Sequence, residues 1–277
     1  MTTAVYDAEA MIVGGEELLL RRVTGVDEYR QCEALQADIW GADDVARVPL
    51  LDMVTAQENG GFVLGAYRPD GRLVGFVYSF PGLTGEGMLK QCSVILAVAP
   101  EYRRHGVGYR LKRLQARLAA DAGFAAITWT VEPLAGRNIV FNLKKLGAVG
   151  TDYIVNAYGI GLGLNAGLET DRLLVTWALP TGDPQPTTGG NVPMVNQIAT
   201  SRRGLPVPVG HTFDHRARTI GLRVPWDIYE ISRNDRGLAT AWREVTRCLF
   251  RHYLDQGYRA VGVVEMPDHC QYLLRVG

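Results

Sequence analysis

Val98-Ala-Pro-Glu-Tyr-Arg-Arg-His-Gly-Val-Gly-Tyr109 decides the reading of this 277-residue chain. A strand-like run, 94–98, leads into it. An amphipathic run follows at once, with Leu111, Leu114 and Leu118 at helical spacing. Strand, glycine-bearing turn and helix, in that order, aim several backbone N–H groups at one point. The positive end of the helix dipole lies behind them, so the point suits a phosphate. Gly106 and Gly108 let the backbone take open dihedrals and come close to a ligand; a side chain there would stand where an oxygen should sit.

Outward from this turn, 18–23 reads as a strand and 26–40 and 48–59 as helices. Runs 61–67 and 73–80 form a hairpin over Pro69-Asp70-Gly71, and 89–98 is the central strand. Residues 108–122 form the helix after the turn, 125–131 another strand and 137–146 a short helix. Runs 153–158 and 173–179 are closing strands. A stretch at 180–193, rich in proline, glycine and threonine, reads as connecting chain. Beyond it, 222–225 is strand-like, 238–254 is an amphipathic helix stopped by Gly257, and 260–264 and 272–276 are strands. The expected organisation is a 1–17 extension, an α+β domain at 18–180, a linker or long loop at 181–219, and a 220–277 strand–helix–strand–strand extension. That tail faintly echoes 98–129 without its glycine turn, as a half-repeat or a sheet-completing extension.

Lysine and arginine number 29, matching 29 aspartates and glutamates, and no long basic run stands out. Nucleic acid and anionic membranes are therefore not expected as partners. No apolar run approaches membrane-spanning length, and the N-terminus lacks the basic start and long apolar core of a signal peptide. Cys32, Cys92, Cys248 and Cys270 lack paired spacing, which suits a reduced, cytoplasmic protein with no metal site. His211 and His215 lie outside any helical pattern and lack a third ligand. Gly161-Leu-Gly163-Leu-Asn-Ala166 fits a dinucleotide fingerprint on paper, but Asn165 and Gly167 would break the helix it must open.

Arg103-x-x-Gly106-x-Gly108 after a strand ending Val-x-Pro, with Lys145-Leu146-Gly147 downstream, resembles the acyl-CoA pyrophosphate loop of the GNAT acyltransferase superfamily. The resemblance spans about 18–180 and implies a GNAT fold: a mixed, mostly antiparallel, splayed sheet flanked by helices. It implies acetyl-CoA or another acyl-CoA as cosubstrate, with Leu96, Ala97 and Val98 along the pantetheine arm. Arg103, Arg104, His105, Gly106, Val107, Gly108 and Tyr109 would hold the pyrophosphate, and Asn138 and Asn142 would touch CoA. Arg104 reads equally well as a solvated charge, and His105 as a supplier of its backbone N–H. The family's usual general-acid tyrosine falls at Leu143 here, so Tyr153 or Tyr158 is the replacement candidate, each equally readable as aromatic packing.

Glu132 would sit by the acceptor, holding an ammonium or relaying its proton; a strand-end surface charge is the alternative. Arg172 is a weaker candidate for an acceptor carboxylate, since an Asp171–Arg172 surface pair is the plainer reading. The implied reaction is direct transfer to an amine, with a strand N–H (that of Val98) at the thioester carbonyl and no metal required.

Further stretches resemble a narrower group of long bacterial GNAT proteins, some of which partner N-succinylamino acid racemases as succinyltransferases. They include Tyr109-Arg-Leu-Lys112, Ile127-Thr-Trp-Thr130, Leu146-Gly-Ala148, Tyr158-Gly159 and Ala241-Trp-Arg243. That likeness implies a small amine, an amino acid, as acceptor; a homodimer is compatible with it. Relatives carry a histidine where this chain has Val94. Alternatives are a CoA-binding regulatory or degenerate protein, and a protein-modifying acetyltransferase.

Overall fold

The computed structural model describes residues 8–41, 47–160, 167–182 and 192–277. The 161–166 glycine run lies outside them. The chain divides into two compact units, Met1–Trp129 with Ala178–Thr181, and Thr130–Trp177 with Gly182–Gly277.

The first unit orders its strands as they occur in sequence: β1 (Glu9–Val13), β2 (Glu16–Arg22), β3 (Phe62–Tyr67), β4 (Leu73–Leu83), β5 (Leu89–Val98) and β6 (Ala126–Val131), the last running across the unit boundary. Every neighbouring pair is antiparallel except β5–β6, which is parallel. A parallel pair needs a crossover, and α3 (Val107–Asp121) supplies it. Gly75 lets α3 come down onto the sheet. A Cβ there would lie 3.1 Å from the Ala97 carbonyl oxygen and 3.4 Å from the Val107 and Leu111 side chains. The helices α1 (Gly25–Trp40) and α2 (Leu50–Glu58) add Tyr29, Cys32, Leu35 and Met53 to a core with Val63, Phe76 and Ala97.

One strand lies where an N-terminal extension is expected. β1 pairs with β2 across Gly14-Gly15, whose φ values of 59° and 88° make the two-residue turn that suits strand twist.

In the second unit, α4 (Gly136–Ile139) runs on as π-helical turns through Val140–Lys145. A sheet follows in the order β8 (Arg172–Ala178), β7 (Val149–Ile154), β12 (Tyr258–Glu265), β13 (Cys270–Val276) and β11 (Thr219–Val224). The C-terminal strands thus complete a sheet with β7, though β12 meets β7 through only the Ala260–Gly150 pair among the described residues. The hairpin β9 (Asn196–Thr200) and β10 (Pro206–His211) forms within chain expected to be connecting.

Between β11 and β12 come α5 (Ile228–Asn234) and α6 (Arg236–Asp255), each N-capped by an aspartate. Asp235 accepts from the Leu238 N–H at 2.9 Å. The buried face of α6 holds Trp242, Thr246, Leu249, Phe250 and Tyr253, and it also holds Arg243.

Gly61 precedes β3 where a Cβ would stand 2.5 Å from the Ser79 carbonyl oxygen and 2.7 Å from that of Ala56. Both are backbone atoms and cannot swing away. Gly61→Ala is therefore expected to cost about 1–3 kcal/mol in urea unfolding; an unchanged midpoint would show that the α2–β3 junction has slack.

Candidate functional site

β5 and β6 are joined by three rungs, Lys90–Ala126, Gln91–Ile127 and Cys92–Thr128. Beyond Cys92, β5 has no further β6 partner among the described residues, so residues 93–98 part from that neighbour while β4 still pairs on the other side. Between Tyr78–Ile95 and Ser79–Ser93 the β4–β5 register slips. Val94 is the extra residue of this bulge, and it is 48 % exposed.

The alternation of a strand fixes which backbone groups face the opening. The Ala99 N–H goes to the Val74 oxygen on β4, whereas the Val98 carbonyl accepts from Arg103 Nε at 2.9 Å. The backbone groups of Val98 and Leu96 therefore turn away from β4, and those of Ala97 turn toward it. Of the three residues expected along an extended ligand arm, Leu96 and the Val98 N–H face away from β4, with the Val98 carbonyl taken by Arg103; Ala97 is 1 % exposed and packs in the core.

The turn after β5 is anchored on both sides. Tyr102 donates to Glu16 at 2.8 Å, and Arg103 reaches back to Val98. Between these ties, Arg103, Arg104, His105 and Gly106 are exposed. Arg104 has φ 66° and Gly106 φ 85°, so the chain enters the helix from the left-handed region. No side chain caps α3. A helix leaves its first N–H groups without intrahelical acceptors, so those of Val107, Gly108 and Tyr109 point out at the turn. A Cβ on Gly106 would meet nothing within 4 Å, so glycine is needed there for its dihedral and not for room inside the protein. Gly108 differs from expectation: it is helical, and a Cβ would touch Leu96 and Val98 at ordinary distances of 3.4 and 3.6 Å. Tyr109 lines an open cavity of ≈ 360 Å³ with Glu9, Arg110, Arg113 and Arg117.

The second-unit candidates divide. Glu132 is 1 % exposed and is clamped by Arg243, at 2.6 and 2.8 Å to its two oxygens, with the Leu134 N–H at 3.0 Å. It is neither a surface charge nor an open carboxylate. Its lone pairs are committed to a guanidinium and a backbone donor, so it is removed from the candidates for proton transfer. Tyr153 is also inside. Its hydroxyl donates to Asp171 at 3.0 Å, its ring stacks on Phe250 at 5.3 Å, and burial pushes its ionisation well above the usual phenol range. Tyr158 is 66 % exposed, with its hydroxyl 2.9 Å from Thr130 Oγ1.

Asp171 does not pair with Arg172. It binds Arg247 at 2.8 and 2.9 Å, and Arg247 also reaches Glu169. Arg172 lies 5.5 Å over the Tyr158 ring and 3.9 Å from Glu132, and its Nε has no partner among the described residues. Asn142 is buried and donates to the Asn138 carbonyl and side-chain oxygens at 2.7 and 2.8 Å; Asn138 is exposed. Leu143 is 3 % exposed in the core.

The sequence reading missed Arg243. Its signal was a charge set within the apolar stripe of α6, a position that demands a buried counter-ion. Among the described residues no three His, Cys, Asp or Glu side chains gather as a metal site, and no helix is long and apolar enough to cross a membrane.

The sequence model described as "Acetyltransferase (GNAT) family" matches residues 27–147. No curated protein matches. Among solved structures, the chain is similar to a putative acetyltransferase from Acinetobacter baylyi (15 % identity, 64 % of this chain and 99 % of that one, TM-score 0.48). It is also similar to the Escherichia coli GNAT-family N-acetyltransferase YhbS in complex with CoA (22 % identity, 44 % and 67 %, TM-score 0.37). A third is Arabidopsis thaliana NAA60 with acetyl-CoA (16 % identity, 58 % and 99 %, TM-score 0.48).

Arg243→Met leaves the Glu132 carboxylate buried without its partner and is expected to cost about 3–5 kcal/mol. Replacing both, as Arg243→Met with Glu132→Leu, should recover most of that loss. A double variant no more stable than the single one, in urea unfolding, would contradict the clamp.

Proposed function

We propose that this chain is a small-molecule N-acyltransferase of the GNAT type, a reading supported by the GNAT-family acetyltransferase model that residues 27–147 match. It moves an acetyl or succinyl group from CoA to the primary amine of an amino acid. The observation that carries this reading is the uncapped start of α3 behind a left-handed Gly106, next to the free β5 edge at Leu96 and Val98.

The assignments rest on chemistry. Backbone donors at 105–109 and the helix dipole suit a pyrophosphate, and Arg103 and Arg104 add charge. The edge groups of Leu96 and Val98 suit an extended amide-bearing arm, as a strand partner would. The Val98 N–H is the donor for the oxygen that gains charge during transfer. Asn138 is kept as a candidate for CoA contact, with Asn142 donating to its carbonyl and side-chain oxygens. Tyr158, exposed and hydrogen-bonded only to a hydroxyl in the described contacts, is kept as the candidate general acid. Arg172 is the candidate cation for the acceptor's carboxylate. The amine must lose a proton before it attacks, since a lysine-type ammonium has a pKa of about 10.4.

A CoA-binding protein without turnover is the second reading. It is favoured by Leu143 in the core where the family's tyrosine would stand, and by Val94 at the bulge.

Incubation with acetyl-CoA or succinyl-CoA and a panel of amino acids, following free thiol, separates the readings. Thiol release with an amino acid is expected; binding without release favours the second, and release only with peptides or proteins contradicts the small acceptor. Gly106→Asp and Gly106→Asn share a shape and tolerate the left-handed backbone. The aspartate alone sets a negative charge against the pyrophosphate, so its CoA affinity should fall at least about tenfold below that of the asparagine variant. Equal affinities in titration calorimetry would refute the assignment.

A further inference from the structure

A layer of polar side chains crosses the apolar core of the first unit where β5 parts from β6. Ser79 on β4 stands opposite Ser93 on β5, and Gln91 lies two residues before Ser93 on the same face. Above them α3 places Lys112 and Gln115. Ser79, Gln91 and Gln115 are fully buried and Lys112 is 2 % exposed. Lys112 Nζ lies 3.1 Å from Ser93 Oγ and 3.8 Å from the centre of the Trp129 ring on β6. Gln115 Nε2 reaches the same hydroxyl at 3.4 Å. Ser79 Oγ, Gln91 Oε1 and Gln115 Oε1 have no hydrogen-bond partner among the described residues.

This arrangement is costly as packing. Lys112 forms no ion pair among the described residues, and no carboxylate, histidine or second cation from α3, β4, β5 or β6 acts on it. Its contacts among the described residues are the Ser93 hydroxyl and the Trp129 ring. An ammonium buried without a counter-ion is strongly disfavoured against the neutral amine. Burial alone draws its pKa down to about 7. The Trp129 face offsets part of that cost for the charged form. Lys112 can therefore exist in either protonation state near neutral pH. Its one hydroxyl neighbour, Ser93, is partly exposed and sits at the first position past the last β5–β6 rung, beside the bulged Val94.

We propose that Lys112 receives, through the Ser93 hydroxyl, the proton that the acceptor ammonium must lose before acyl transfer. The proposal rests on the N-acyltransferase reading of the same strand opening. One N–H bond of the ammonium breaks and its proton goes to Ser93 Oγ, while the Ser93 proton passes to Lys112 Nζ. The amine's freed electron pair forms the C–N bond as the C–S bond breaks. The second amine proton leaves with the thiolate as CoA thiol, and Lys112 returns its proton to water by the same hydroxyl. Lys112 is a positioning residue for that proton, and Ser93 is the group that touches the acceptor.

The test uses the whole chain with acetyl-CoA and the most active amine of the amino-acid panel. In the wild type, kcat/KM should rise with pH through an inflection at about 7. Lys112→Met should keep CoA affinity, lose that inflection and fall about 100-fold or more at neutral pH. Its rate should recover as pH approaches the amine's own pKa, about 10 for a lysine-type amine. Ser93→Ala should lose the same inflection. An unchanged inflection in Lys112→Met overturns the proposal, because a merely structural role lowers the rate without removing it.

Should Lys112→Met fail to fold, the 13Cε shift of Lys112 in the wild type reads the same property. A midpoint near 7 supports the proposal, and one above about 9 overturns it. Failure of the underlying reading is separately visible, as a wild type that neither binds CoA nor releases thiol, and the proposal falls with it.

Discussion

Three rungs hold β5 to β6, and then the strands part. Everything assigned to the first unit depends on that partial pairing. A fully zipped parallel pair would consume the backbone groups of Leu96 and Val98, leaving no open edge beside the turn. The bulge at Val94 contributes to the same end, since an extra residue on one strand bends it and re-aims the residues beyond it. The crossover helix must then start where β5 has drifted, and Gly106 makes the sharp entry with φ 85°. The result is a set of outward N–H groups whose orientation is fixed by covalent geometry and two side-chain ties, not by mobile side chains.

The second unit is organised around buried charge. Glu132 and Arg243 neutralise each other with two short hydrogen bonds; Asp171 and Arg247 do the same nearby, with Tyr153 donating to the same carboxylate. Pairs of this kind add little net stability, yet each is costly to break. Both arginines come from α6, while Glu132 follows β6 and Asp171 precedes β8. The C-terminal helix is thus bound by ion pairing, as well as by Trp242 and Phe250, to the segments it packs on. Arg172 is held less tightly, 3.9 Å from the clamped Glu132.

The turn at 103–108, the two strands beside it and the helix after it were legible because their chemistry is local: glycine dihedrals, helical spacing and an apolar strand. Gly108 was read as a conformational glycine only because spacing cannot tell a turn from a first helical turn. β1 was missed although Gly14-Gly15 marked its hairpin, since the strand is half exposed and gives little apolar signal. Glu132 and Tyr153 were read as candidates for chemistry because their partners, Arg243 and Asp171, are 111 and 18 residues away. The polar layer around Lys112 was illegible for the same reason, since Ser79, Ser93 and Trp129 meet only once the sheet is assembled.

The central claim is that the amides at the start of α3 grip a diphosphate. The most direct measurement is an amide 1H–15N correlation spectrum recorded during titration with CoA, and separately with pantetheine, which lacks the diphosphate. CoA should move the amide signals of residues 105–109 most, and pantetheine should leave them in place while moving those of Leu96 and Val98. Unmoved signals at 105–109 under saturating CoA, or equal shifts with both compounds, would contradict the account.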